Sequence, residues 1–182
     1  MNIKKSNPML MALLISLFFT QFTFAKTVQQ IDKEVDIAIE KFKQEIKGGE
    51  NFLPQVKGYL VFPNVVSAGL ILGGKYGEGA LRIEGKTKYY YEMASASIGF
   101  QAGAQNYTML IAFLSETALN NFIASNGWEA GVAGTITVSD WGKSKDLASY
   151  SFEKPIMAFI YGEEGYMASI SIAGTKFRKI LP

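Results

Sequence analysis

No cysteine and no histidine occur among the 182 residues. Without cysteine, no disulfide can staple the fold and no thiolate can bind a metal or attack a substrate. Without histidine, the usual general base, proton shuttle and commonest metal ligand are all missing. Zinc, haem and cysteine-ligated iron–sulfur sites therefore have no protein ligands here, and no cofactor is expected. Net charge is also scarce. The formal total is +2, and Lys4 and Lys5 lie in a segment that reads as a leader; removing it brings the total to zero. A neutral chain exerts no global pull on nucleic acid or on an anionic membrane, so any such attraction needs a local patch.

The leader has three parts. Lys4 and Lys5 give a positive start, "MLMALLISLFF" (Met9–Phe19) an apolar run, and Thr23-Phe24-Ala25 a small-residue cleavage site before Lys26. This is the pattern of a cleavable signal peptide and implies export to the periplasm or beyond, with cleavage after Ala25. A retained anchor is the other reading. A span needs about 20 mostly apolar residues, and Ser16, Thr20, Gln21 and Thr23 interrupt this run. Residues 26–182 then form one domain.

Lys26–Lys47 is predicted as an amphipathic helix, about 27–47. Val28, Ile31, Val35, Ile39, Phe42 and Ile46 recur at helical spacing. Thr27 and Gln30 have capping-box spacing, and Gly48-Gly49 supplies a stop. The polar face balances acids with lysines, which suits a helix packed on a sheet better than a basic interfacial helix. From about 57 to 180 the period becomes that of strands. Expected strands are Lys57–Pro63, ended by proline, then Gly69–Ile83, Lys88–Gln105, Tyr107–Leu114, Trp128–Val138, Ser151–Tyr161 and Tyr166–Ala173. Between Ala94 and Gln105 apolar even positions alternate with Ser, Gly and Gln, so one face is buried. Ser115 caps a short helix through Ile123. Ser139–Ser149 reads as a polar loop, and Gly162–Gly165 as a hairpin tip. The fold class is α+β, mainly antiparallel β. It is a small barrel-like or sandwich sheet with an N-terminal amphipathic helix and a short internal helix.

"GLILGGKYGEGALRI" (Gly69–Ile83) poses the chemical question. A phosphate loop needs Ser or Thr after its Gly-Lys and a helix beyond. Tyr76 stands in the first place, and Gly77 and Gly79 would break the second. A dinucleotide fingerprint fails at Arg82, where its third glycine should stand. The odd-numbered glycines read instead as one bare strand face, against which another backbone or a ligand can lie. Other catalytic candidates are thin. Glu163-Glu164 read as a solvated tip. Asp140, Asp146 and Glu153 lack calcium-loop spacing. No serine sits in Gly-x-Ser-x-Gly, which leaves only a Ser–Lys pair as a hydrolase.

"KGYLVFPNVVSAGLILGGKYGEGALRI" (Lys57–Ile83) resembles the opening of the SYLF domain. The resemblance continues in "SIGFQAGAQNYTMLIAFLSETALNNFI" (Ser97–Ile123), "EAGVAGTI" (Glu129–Ile136) and "GYMASISIAGTKF" (Gly165–Phe177). It implies a non-enzymatic lipid-binding domain. Eukaryotic relatives bind phosphoinositides and yeast relatives bind actin, whereas stand-alone bacterial relatives with a leader imply lipid binding in the cell envelope. Actin is not an expected partner of an exported chain, and neither is nucleic acid. Protein partners are unknown.

The candidate lipid-binding residues are Lys75, Arg82, Lys86, Lys88, Tyr89 and Tyr91. Lysines and aromatic rings favour the headgroup level. The competing reading has the alternate tyrosines packed inward. Two other classes stay open: an integral outer-membrane β-barrel, and an envelope structural or self-assembling protein using strand edges.

Overall fold

The computed structural model describes residues 26–69, 72–98, 103–125, 127–139, 147, 153–162 and 172–180. The leader, the loop at 140–146 and the tip at Glu163-Glu164 lie outside them.

Helix α1 spans Val28–Glu45, with the capping box between Thr27 and Gln30 in place. Its apolar stripe is buried, with Ile31, Val35, Phe42 and Ile46 at most 5% exposed. Gly48 adopts a left-handed conformation (φ 84°), which glycine takes without the Cβ penalty. A single helical turn, α2 (Gly49–Phe52), and a 3₁₀ turn (Leu53–Gln55) follow.

Eight strands come next: β1 (Gly58–Gly69), β2 (Leu72–Ile83), β3 (Lys86–Ile98), β4 (Gly103–Phe113), β5 (Trp128–Glu129), β6 (Thr137–Ser139), β7 (Ile156–Tyr161) and β8 (Lys176–Ile180). Helix α3 (Glu116–Ala124) lies between β4 and β5, capped by Ser115. The strands form one curled sheet in the order β5-β8-β3-β2-β1-β4-β7-β6. All pairs are antiparallel except β6–β7. The α+β class and the mainly antiparallel half-barrel are as the sequence predicts.

Strand alternation gives the sheet two faces, both packed. On one, Leu60, Leu81, Tyr91, Met93 and Phe113 meet Leu119 and Phe122 of α3, together with Trp128 and Phe177. On the other, Tyr59, Val61, Ala80, Leu110 and Phe159 meet the stripe of α1. The Phe42 ring stands edge-on to Phe159 and Tyr161, with centroids 5.3 and 5.5 Å away.

Four sequence expectations need correction. Gly69–Ile83 is not one strand: β1 ends at Gly69, β2 starts at Leu72, and Gly69 pairs with Gly73. Lys88–Gln105 likewise divides into β3 and β4. Leu70-Ile71 at the first break continues the apolar run, so no polar turn residue marked it. Proline does not end the first strand. β1 runs through Pro63 at a register shift between Phe62 and Val65, where the ladder does not need the missing N–H. Trp128–Val138 is broken by a turn at Gly131–Ala133, with Gly131 at φ 89°.

The buried face of β3 is also the opposite one to that expected. Ala94 and Ala96 are exposed, while Tyr91 and Met93 are buried. Small residues alternate cleanly but do not say which face a neighbour covers. Tyr166–Ala173 lies mostly outside the described residues, and β8 was not anticipated.

The glycines of β2 now have neighbours. A Cβ on Gly79 would sit inside the van der Waals shell of the Val61 carbonyl oxygen, with Phe62 at 2.9 Å. One on Gly77 would press Val65 at 3.2 Å. At these two positions the bare face is filled by the protein's own β1, which bends over it at the bulge. At Gly74 a Cβ would meet only Ser95 O, at 3.5 Å. Gly79→Ala should therefore cost about 3 kcal/mol or prevent folding, as overpacking of a fixed backbone does. Gly74→Ala should stay within about 0.5 kcal/mol of wild type. Equal urea midpoints for the two variants would refute this account of the glycines.

Burial holds the phenols of Tyr59, Tyr76, Tyr90, Tyr91 and Tyr161 above their ordinary value; bonds to Glu78 and Asp32 add to this for Tyr76 and Tyr90. Above about pH 10 the unfolded chain loses protons that the folded chain keeps. The stability they contribute is complete below that pH and is lost as pH rises further. Lys75, lowered by burial, opposes this as a single group. Denaturant melts should show a midpoint that falls steeply above about pH 10, with tyrosinate absorbance appearing on unfolding. An unchanged midpoint there would contradict the assignment.

Candidate functional site

Helix α1 is joined to the sheet by a polar seam as well as an apolar one. Asp32 and Asp36 lie one helical turn apart on the same side. Arg82, on β2 between Leu81 and Ile83, points to that side of the sheet. Its Nη2 donates to Asp36 Oδ1 at 2.7 Å and lies 3.3 Å from Asp32 Oδ1. Asp32 also accepts from the Thr87 hydroxyl and the Tyr90 hydroxyl, both at 2.7 Å. The Arg82 side chain is only 11% exposed, and its Nε is buried without a hydrogen-bond partner. In the middle of the helix, Tyr161 OH donates to the Ala38 carbonyl at 2.8 Å. Near the start of α1, the Lys26 N–H donates to Glu78 at 3.4 Å.

The sheet reaches beyond the helix. On the α1 face Val66 pairs with Tyr76, and Tyr76 with Ala94. Val66 is 44% and Tyr76 46% exposed, and Ala94, Ala96 and Gly74 are exposed beside them. The Tyr76 hydroxyl donates to Glu78 at 2.8 Å, so its ring lies along the sheet surface with its polar end occupied. Ile37, 59% exposed, is the large apolar side chain on the outer face of α1. These residues make an uncovered apolar shelf.

At the root of the shelf, between α1 and the middle of β1 and β4 beside the Pro63 bulge, is a cavity of about 290 Å³. Ile37 lines it with Glu34, Lys41, Asn64, Asn106 and Thr108. A second groove, about 590 Å³, lies at the opposite end between α2 and the β2–β3 turn, floored by Ile39, Leu53 and Tyr59.

The six residues singled out from sequence do not come together. Lys75 is half-buried on the α3 face, in a cross-strand row with Ser67 and Ser95. Lys86 and Lys88 are exposed at the β2–β3 turn. Eight residues of strand separate Lys75 from Ile83, roughly 26 Å. Arg82 is engaged with the helix. Tyr89 is 40% exposed, with Lys179 Nζ 4.2 Å above its ring. Tyr91 is 2% exposed and packs on Phe122 at 5.0 Å, so its ring offers no surface. Their proximity in sequence was proximity along a hairpin, whose ends are far apart.

The shelf was missed because Val66 and Tyr76 lie ten residues apart and become neighbours only through strand pairing. One signal for the seam was present: a lone arginine inside an apolar strand, with two aspartates at i, i+4 on the preceding helix.

No helix among the described residues is long and apolar enough to cross a membrane. The described residues also contain no cluster of carboxylates that could hold a metal ion. A curled sheet packed on both faces, with an apolar shelf and a polar cavity beside it, is the architecture of a binding domain. The model of the Ysc84 family, described as Las17-binding protein actin regulator, matches residues 94–179. Residues 94–179 thus match the SYLF (Ysc84) family, the family that the sequence resembles. The match takes in β3 from Ala94 through β8 to Lys179; α1, β1 and β2 precede it. No curated protein matches the chain.

Arg82→Met should destabilise the domain by about 1 kcal/mol, since the charge-assisted bond to Asp36 is lost while the partly exposed carboxylates stay hydrated. Adding Asp36→Asn should recover part of that loss in a double-mutant cycle. Strictly additive effects would show that the seam carries no coupling.

Proposed function

We propose that this chain is a non-catalytic lipid-binding protein of the bacterial cell envelope, exported by its leader and acting at a membrane surface. The SYLF family is one of binding domains related to lipids and to actin patches. An exported chain does not meet actin, so the lipid property is the one carried over. The observation that bears most weight is the exposed Val66–Tyr76–Ala94 shelf with Ile37 beside it. An apolar patch of this kind on a water-facing surface is the mark of an interaction site.

The helix is not available for the task. Releasing α1 to lie on a membrane would uncover its partners on the sheet, Tyr59, Val61, Ala80, Leu110 and Phe159, at a cost on the order of 10 kcal/mol. The end of the sheet therefore makes the apolar contact. Lys75 lies on the other face of the same strands, at a depth from which a lysine reaches the headgroups. Lys86, Lys88 and Tyr89 form a second, more polar end that would touch the membrane only in another orientation. A bilayer-spanning barrel is the poorer reading, because such a barrel turns a bare apolar face outward all round, and here much of both faces of the central strands is packed against the protein's own helices.

Flotation with liposomes tests the proposal. Val66→Asp with Tyr76→Asp should lower partitioning at least tenfold, since each side chain is worth about 1.5 kcal/mol or more when buried. Lys86→Glu with Lys88→Glu should change it less than threefold. If the shelf variant floats as well as wild type, lipid contact lies elsewhere.

A further inference from the structure

The cavity at the root of the shelf has its own chemistry. Its volume, about 290 Å³, is at the small end for ligand pockets; it suits a headgroup and not an acyl chain. One wall is α1, which contributes Glu34 and Lys41. These are two helical turns apart, roughly 10 Å along the axis. The other wall is the sheet, which contributes the carboxamides of Asn64 and Asn106. The Thr108 hydroxyl donates to the Pro63 carbonyl at 3.0 Å, so its remaining lone pair can only accept.

Gly162, at φ 82°, lies at one end. A Cβ there would stand 3.0 Å from Lys41 Nζ and 3.2 Å from Thr108 Oγ1, so glycine keeps that end open. Among the described residues Lys41 makes long contacts, 3.5 Å to the Gly162 carbonyl and 3.6 Å to Glu45. Glu34 pairs with Lys26. Partly exposed pairs of this kind are worth little, so exchanging them for a ligand's charges costs little.

The site thus offers one cation, one anion and several acceptors, and it opens onto apolar surface: Asn106 pairs with Val66, which pairs with Tyr76. We propose that the cavity seats the headgroup of a zwitterionic phospholipid bearing a phosphate and a primary ammonium, with its acyl chains lying over Val66 and Tyr76. Lys41 meets the phosphate. Glu34 and the carboxamide oxygens accept from the ammonium. A purely anionic head would face Glu34, and a quaternary ammonium has no N–H to donate. The assignment rests on the lipid-binding reading above and adds the headgroup to it.

The mature domain is floated with vesicles of phosphatidylcholine alone, and of phosphatidylcholine mixed with phosphatidylethanolamine or with phosphatidylglycerol. Wild type should bind the ethanolamine vesicles about tenfold more tightly than phosphatidylcholine alone. Glu34→Gln and Lys41→Gln should each abolish that preference. Asn106→Leu, which leaves the helix untouched, should weaken the preference with an unaltered melting curve. Equal binding of wild type to choline and ethanolamine vesicles overturns the headgroup assignment and leaves the lipid-binding reading standing. So does tighter binding to the glycerol vesicles, or a preference that survives in both helix variants. Wild type floating with none of the three overturns the lipid-binding reading itself.

Discussion

The packing of α1 on the sheet is the constraint on which the rest of this structure depends. Its stripe buries one face of the central strands, and Arg82 holds Asp32 and Asp36 where the stripe ends. The two parts act differently. Apolar burial supplies most of the free energy but tolerates sliding, because it has little directionality. The arginine, with Thr87 and Tyr90 on Asp32, fixes where along the sheet the helix sits. That position decides what stays uncovered. The helix covers the lower part of the face and stops short of Val66 and Tyr76, leaving both the shelf and the cavity along its edge.

The same seam explains why an amphipathic helix here is a structural element. Its polar face balances acids and lysines, and its apolar face is fully occupied. The surface left uncovered belongs mainly to strands, with small residues that lie flat. The glycines of β2 belong to this arrangement. Gly77 and Gly79 let β1 fold across them at the Pro63 bulge, and that bend ends the regular pairing between Val61 and Val66. Beyond it the strands continue as the overhang that carries the shelf.

Much of the fold was legible because periodicity is a local property. The stripe of α1, its Thr27–Gln30 cap, the Ser115 cap of α3 and the mainly antiparallel class were all accessible from spacing. The break between β1 and β2 was not, because Leu70-Ile71 continues the apolar run; nor was the one between β3 and β4, which do not pair with each other. The face of β3 was misjudged, since alternation of Ala with Ser gives a period without saying which side is covered. The lipid-contact candidates were chosen by closeness in sequence. In the structure they divide among a helix seam, the core, a turn and the far face of the overhang.

The residues alone settled the absences and the local periods: no thiol or imidazole chemistry, one long amphipathic helix, glycine-rich strands and a SYLF-like order of elements. These follow from composition and from contacts within a few residues. Tertiary structure decided what fills the bare glycine face, what Arg82 is for, and which apolar residues stay in water. Each of those depends on strands that are distant in the chain and paired in space, where register rather than sequence distance sets the neighbour.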